Sequence, residues 1–302
     1  MPFLLRLNPF NHRRGSVRWV AIISLLCVVV AVGGCSAARI GYNNAPALTY
    51  WWLDRYFDFD TAQSVRMRAD LQTLHAWHRS TEMPRAAALM QSLRTATPDN
   101  TTPEQLCARY ADLKNSAEST LDRLVPTLSE MTPALTDAQL AHITQAFDKR
   151  NRVWREEWLD GTPQERAERR AQQMVSRAEN FYGSLTPVQV ALVQTHVNAS
   201  DVDLDALYRE RLLRQKDAVQ TLRTLRDTGA PPAQREAQLH ALLARAMQPP
   251  DPAVRDTWNR RTNQSCAAVA ALHNSSTPAQ RVHLAAQLQN YENDVRVLIG
   301  QR

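Results

Sequence analysis

The stretch Leu185-Thr186-Pro187-Val188-Gln189 contains a helix-start pattern that recurs along this 302-residue chain. The Thr hydroxyl can accept a hydrogen bond from the backbone N–H of the Gln, and the Gln side chain can accept one from the backbone N–H of the Thr. The intervening proline stands at the first helical position, where a backbone N–H has no partner within the helix. Five further copies begin with Thr or Asp and end with Gln or Glu: Asp60-Thr61-Ala62-Gln63, Thr102-Pro103-Glu104-Gln105, Thr136-Asp137-Ala138-Gln139, Thr162-Pro163-Gln164-Glu165 and Thr277-Pro278-Ala279-Gln280.

The residues between these starts follow the helical repeat. Leu140, Ile143, Phe147, Trp154 and Trp158 fall at spacings of three, four and seven, which places them on one helix face. The copies are too unevenly spaced for a solenoid, and no stretch alternates as a half-buried strand would. The sequence therefore predicts an all-α domain over residues 60–302, a multi-helix bundle of about nine or ten capped helices.

The N-terminus has the layout of an export signal. Four arginines (Arg6, Arg13, Arg14 and Arg18) precede an apolar run that leads to Val32-Gly33-Gly34-Cys35-Ser36, with no acidic residue before Cys35. This end is similar to the lipobox of bacterial lipoproteins, in which an aliphatic and two small residues precede the lipidated cysteine. The similarity implies a cleaved signal peptide of residues 1–34 and acyl chains, palmitate among them, on Cys35.

The same resemblance implies a location. Ser36 stands where an aspartate favours retention at the inner membrane, so we expect the mature protein on the periplasmic face of a Gram-negative outer membrane. An uncleaved membrane anchor is the alternative interpretation. The apolar run from Trp19 to Val32 is short for it, because a spanning helix needs about 20 residues.

Charge argues against a nucleic-acid partner. The chain has 36 basic and 30 acidic residues, but the four arginines before Cys35 leave 32 basic against 30 acidic in the predicted mature protein. Acidic and basic residues alternate along the helices, as on solvated faces, and no basic block is present. We therefore expect the membrane, through the lipid anchor, and envelope proteins or unfolded clients as partners.

Residues 35–59 form a lipidated N-terminus followed by an aromatic segment. The aromatic residues are Tyr42, Tyr50, Trp51, Trp52, Tyr56, Phe57 and Phe59. In one interpretation these rings dock the segment onto the helical body, because large rings dominate core burial. In the other they form a belt at the membrane surface, where Trp and Tyr are favoured.

Two cysteines, Cys107 and Cys266, remain once Cys27 is assigned to the signal and Cys35 to lipid. In an oxidising periplasm they could form a disulfide joining the first third of the domain to the last. Two separate buried thiols are the alternative.

Residues 35–94 resemble an uncharacterised family of proteobacterial lipoproteins that is predicted helical and has no assigned activity. The matching residues are Tyr42, Asn43, Asn44, Trp52, Asp54, Tyr56, Asp60, Gln63, Trp77, His78, Arg79, Glu82 and Pro84. The repeated Leu-Thr-x-x-Gln element also resembles that of the Spy/CpxP group of small periplasmic chaperones. These resemblances imply a helical envelope protein and a set of motif or docking residues, but no reaction.

The sequence contains no recognisable catalytic or metal set. His75 and His78 are three residues apart on one helix, but the other histidines after Cys35 are scattered singly, so no metal or cofactor is predicted. Glu156 and Glu157 lie beside arginines that explain them as ion pairs. We expect a non-enzymatic protein that binds envelope partners as a chaperone, stress adaptor or scaffold. An envelope hydrolase and a carrier of a lipid or hydrophobic ligand are the alternatives.

Overall fold

A computed structural model describes residues 34–200 and 203–301. These ranges hold twelve α-helices and one 3₁₀ helix and no strand. The helices are α1 (Gly34–Asn43), α2 (Ala45–Phe57), α3 (Thr61–Ala96), α4 (Pro103–Asp122), α5 (Val125–Met131), α6 (Asp137–Trp158), α7 (Pro163–Tyr182), α8 (Pro187–Ala199), α9 (Leu204–Asp227), α10 (Pro232–Met247), α11 (Pro252–Asn274) and α12 (Pro278–Gly300), with the 3₁₀ helix (Thr132–Ala134) between α5 and α6. The prediction of an all-α bundle is confirmed.

All six helix-start patterns are capping boxes. At each of these six starts the Thr or Asp side chain accepts from the third helical N–H, and the third residue's side chain accepts from the cap N–H. These boxes open α3, α4, α6, α7, α8 and α12. The described count exceeds the predicted nine or ten because of short helices such as α5, whose N-cap, Leu124, makes no side-chain hydrogen bond.

The chain separates into two compact units between Asn43 and Asn44. In the first unit the described residues form α1. The predicted signal peptide lies almost wholly outside the described residues. None of the helices in the described ranges is both long enough and apolar enough to cross a bilayer.

The second unit is built around α3, a helix of 36 residues. α12 packs antiparallel along it, as shown by bonds from Arg79 Nη1 to the Gln301 carbonyl (3.0 Å) and from Arg94 Nε to Glu292 Oε2 (3.1 Å). Buried apolar clusters join the other helices of this unit. One joins α5, α6, α9 and α10 around Leu140 and Leu225, and the other joins α7, α8, α11 and α12.

Candidate functional site

A cleft opens where helices from both apolar clusters meet α3 and α4. It consists of two adjoining lobes of about 660 and 390 Å³, and Trp154, Leu207, Arg261 and Ser265 line both. Helices α3, α4, α6, α9 and α11 line the larger lobe, and α6, α7, α8, α9 and α11 line the smaller one. Volumes of several hundred Å³ are typical of sites for small ligands.

Helix α11 contributes the central wall. Trp258, Arg261, Ser265 and Val269 are separated by three, four and four residues, so they share one face of the helix. This face is held against α4 by a disulfide, since Cys266 is bonded to Cys107 with the two Cα atoms 5.6 Å apart. Of the two alternatives that the sequence leaves open, the structure has the bonded one.

Helix α9 contributes Leu207, Arg211 and Arg214, again on one face. Arg211 is held by a neutral group, because its Nε donates to Asn151 Oδ1 at 2.7 Å. Asn151 is itself buried and exchanges hydrogen bonds with Gln215, at 2.7 and 3.1 Å. An amide network therefore fixes the Arg211 side chain without neutralising its charge.

Aromatic rings and further arginines complete the cleft. Trp154 stacks on Tyr208 with ring centroids 5.4 Å apart, and Trp158 follows one turn later on α6. Arg170 and Arg177, two turns apart on α7, line the smaller lobe. The guanidinium of Arg214 lies 4.9 Å from the Trp258 ring centroid, a cation–π arrangement.

Several buried polar atoms in this cleft have no hydrogen-bond partner within the described part of the chain. They are the Nε atoms of Arg170, Arg214 and Arg261, Trp258 Nε1 and Gln264 Oε1. Arg214 is paired through other contacts: Glu210 forms a long ion pair with it, with the carboxylate 3.6 Å from its Nε, and its Nη1 donates to the Ala246 carbonyl at 3.4 Å. Arg170 and Arg261 form no ion pair among the described residues. Buried polar groups are normally paired, so a cluster of unpaired donors is an unusual feature.

The electrostatics of the cleft are one-sided. Among the described residues, no Asp or Glu lines either lobe. Burial lowers the pKa of Arg170, Arg214 and Arg261, and repulsion from Arg166 and Arg261 lowers that of Arg170 further. Because arginine stays protonated in proteins, these side chains remain as partly desolvated positive charges, of which that of Arg214 is offset by Glu210. The arrangement favours an anionic group and apolar surface together.

The cleft does not present a nucleophile activated by a base. Its described hydroxyl groups, those of Tyr110, Thr262, Ser265 and Ser200, make no hydrogen bond to a histidine or carboxylate. Within residues 34–200 and 203–301, no three side chains among His, Cys, Asp and Glu converge as metal ligands would.

The aromatic segment divides between buried and exposed rings. Tyr50 in α2 is buried, and its hydroxyl lies 2.9 Å from Ser64 Oγ with Arg68 over its ring. Tyr56 contacts Phe147 of α6, with 5.5 Å between ring centroids. Trp51 and Trp52, in contrast, are 63% and 56% exposed. The segment from Ala45 therefore packs onto α3 and α6 while presenting two tryptophans to the outside.

The other predicted residues lie outside the cleft. Cys35, Tyr42 and Asn43 belong to α1, and Asn44 precedes α2. Asp60 caps α3, and Gln63 in the same box bonds to Gln139. Asp60 and Gln63 therefore stabilise the start of α3 and its packing against the start of α6.

The Trp77-His78-Arg79 trio is on α3. The Arg123 guanidinium lies 4.7 Å from the Trp77 ring centroid, and Arg79 bonds to the Gln301 carbonyl. Burial lowers the pKa of His78, and the nearby Glu82 carboxylate partly opposes that shift. The trio therefore packs α3 against its neighbours.

Sequence reasoning missed the cleft arginines. The available signal was that arginines, and in α11 a tryptophan, recur at helical spacing within the apolar faces of α7, α9 and α11. In sequence, however, such arginines look like the ordinary solvated charges of a helix surface. The sequence places Trp154 and Trp158 on one face of α6 with Leu140, Ile143 and Phe147, and the structure has the two tryptophans half-buried in the cleft wall.

Together the fold and the cleft define an all-helical protein with a basic, tryptophan-lined cleft. A model of the family of unknown function DUF6279 matches residues 55–252, well over half of the chain. The chain belongs to this family. No curated protein and no solved structure matches it. The matched range includes Arg170, Arg211 and Arg214, and it ends at the start of α11, before Trp258 and Arg261.

Proposed function

We propose that this protein is a lipid-anchored protein of the bacterial envelope that binds a small ligand in its cleft and does not transform it. The cluster of buried, unpaired arginine and tryptophan donors carries the proposal. Donors without a hydrogen-bond partner lower the stability of the ligand-free protein. A bound ligand that accepts hydrogen bonds from them would offset this loss of stability.

The size of the cleft favours a small ligand over an unfolded client. Lobes of about 660 and 390 Å³ match the usual range for small-molecule sites. Stable protein partners usually cover roughly 800 Å² of surface on each side. Among the functions expected from the sequence, the carrier of a hydrophobic ligand therefore has the best support.

The anchor is proposed from residues 32–36 and has its own test. Cells grown with labelled palmitate should incorporate label into the wild-type protein but not into Cys35→Ala, which should leave the membrane fraction. A Cys35→Ala protein that still carries label would refute lipidation at this position.

The cleft is tested by site-specific photocrosslinking in cells of the protein's source. A photoreactive amino acid in place of Ser265, an exposed residue that lines both lobes, should capture a small molecule. The matched control is the same substitution at Val282, which is exposed on α12 away from the cleft. An adduct at both positions, or none at 265, would contradict binding in the cleft.

A further inference from the structure

We infer that the ligand is an anionic amphiphile, with its acidic head at Arg261 between the two lobes and its apolar chain along the larger lobe. This inference rests on the proposed binding function and adds the chemical class of the ligand. A carboxylate and a phosphate ester share the required head chemistry.

Arg261 is the centre of the head site because it lines both lobes. Its Nε is buried and unpaired, and it forms no ion pair within the described ranges. Arg170 from α7 and Arg214 from α9 flank it, one in each lobe, with unpaired Nε atoms of their own. Guanidinium groups bind carboxylate and phosphate through charge-assisted hydrogen bonds, which are strongest where water is excluded.

The larger lobe becomes apolar away from Arg261. Val269 lies eight residues further along α11, about 12 Å at the helical rise of 1.5 Å per residue. Leu106 is at the same end, because its neighbour Cys107 is bonded to Cys266. Leu93 of α3 completes this end, and Val269 is 44% exposed and available for contact. An acyl chain would cover this surface.

Two other occupants fit less well. A small inorganic anion would leave the apolar end uncovered. An acidic peptide would need partners for its own backbone, but the walls are helices whose N–H and C=O groups are already bonded internally. A single acyl chain with an acidic head needs only donors at one end and apolar contact along the other.

The experiment uses full-length protein in phosphatidylcholine nanodiscs, titrated by tryptophan fluorescence with empty nanodiscs as background. The probes are dodecanoate, dodecyl phosphate, dodecanol, acetate and inorganic phosphate. We expect both anionic dodecyl probes to bind, and dodecanol to bind about tenfold more weakly because it lacks the charge. Acetate and inorganic phosphate lack the chain and should bind at least about a thousandfold more weakly or not measurably. Lengthening the chain from eight carbons should raise the affinity about two- to fourfold per methylene until the lobe is filled.

The decisive variant is Arg261→Met, which keeps the side-chain length and removes the charge. It should lose about tenfold or more in affinity for dodecanoate, since a charge-assisted hydrogen bond is lost. It should melt at the same temperature as the wild type or higher, because a buried unpaired charge has been removed. Arg260→Met is the matched control: Arg260 is exposed on α11 outside the cleft and bonds to Thr257, one turn earlier on the same helix, so this variant should bind normally.

Each outcome decides the inference. If dodecanol binds as tightly as dodecanoate, the pocket is purely apolar, and if inorganic phosphate does so, the cleft is a plain anion site. If Arg261→Met binds dodecanoate as tightly as the wild type, the acidic head lies elsewhere. Any of these results overturns the inference. Tighter binding of an acidic peptide than of dodecanoate would do the same. If crosslinking at position 265 captures a ligand that is not an anionic amphiphile, the inference fails while the proposed function stands. If crosslinking at position 265 captures no small molecule, the proposed function itself is refuted.

Discussion

Substituting Gln280 by Glu should destabilise the protein strongly, although the change is isosteric. Gln280 and Gln189 are the third helical residues of α12 and α8, and their side-chain amides bond to each other in both directions, at 2.8 and 2.9 Å. Each Nε2 also donates to a backbone carbonyl, of Ser275 or Ser184, at 3.0 Å. Each Oε1 also accepts from the backbone N–H of its own N-cap. Both amides are thus fully bonded.

The cost of Gln280→Glu follows from these bonds. The carboxylate can still accept from Gln189 Nε2 and from the N-cap, but it cannot donate to Gln189 Oε1 or to the Ser184 carbonyl. Two hydrogen bonds are lost and two acceptors then face a negative charge, at a position only 8% exposed. At about 1 to 3 kcal/mol for each buried group left unpaired, the free energy of unfolding should fall by about 3 kcal/mol at pH 7.

The loss should depend on pH. Burial beside acceptors raises the pKa of the new carboxyl group in the folded state above its unfolded value of about 4.3. An acid whose folded pKa is raised binds more protons when folded, so stability falls as the pH rises above the unfolded pKa. Urea unfolding followed by circular dichroism should therefore show a smaller loss at pH 4 than at pH 7.

Gln105→Glu is the matched control. Gln105 occupies the same position in the capping box of α4, but it is exposed and bonds to no second glutamine. A carboxylate near a helix N-terminus is worth about 0.3 to 1 kcal/mol, so this variant should be neutral or slightly stabilised. The protein already has Glu at this position in the box that opens α7. Equal losses from the two variants would refute the pairing argument.

Two further predictions concern stability. The disulfide between Cys107 and Cys266 spans 159 residues, so replacing both cysteines by Ser should lower the free energy of unfolding by about 2–5 kcal/mol. Reductant should then lower the free energy of unfolding of the wild type but not that of the double variant. A loss of stability of the double variant on reduction would contradict the assignment of the disulfide to these two cysteines. His78, whose pKa is lowered by burial, binds more protons when unfolded, so stability should decline as the pH falls below about 6.5. His78→Gln should flatten that decline in urea titrations between pH 7 and pH 5, and an unchanged slope would show that another group is responsible.

Local rules explain why the helices could be predicted and their pairing could not. A capping box involves four consecutive residues, so the sequence is sufficient to locate its helix start. The Gln189–Gln280 pair joins residues 91 positions apart, and the Gln63–Gln139 pair joins residues 76 apart. Both pairs unite glutamines of two boxes, a juxtaposition that depends on how the helices pack. In sequence these four glutamines look the same as Gln105, which has no such partner.

The cleft could not be predicted from the sequence, for a different physical reason. An arginine on a helix is predicted to be solvated, and this expectation holds for Arg260 but not for its neighbour Arg261. Whether a charge is buried depends on what the adjacent helices place opposite it. For Arg261 the described neighbours supply Trp258, Ser265 and Leu207, and no carboxylate. No pattern along one helix contains that information.

The sign of the Arg261→Met stability change separates two explanations of the cleft. If the arginines are there to hold the helices together, through cation–π contacts such as that of Arg214 with Trp258, removing one should lower the melting temperature. If they are there for a ligand, the charge of Arg261 has no carboxylate to offset its cost in the free protein, and removing it should leave the melting temperature unchanged or raise it. The unpaired Nε of Arg261 and the absence of a carboxylate among its described neighbours support the second explanation. Binding residues are where a chain departs from the rule that buried polar groups are paired, because their partner comes from outside.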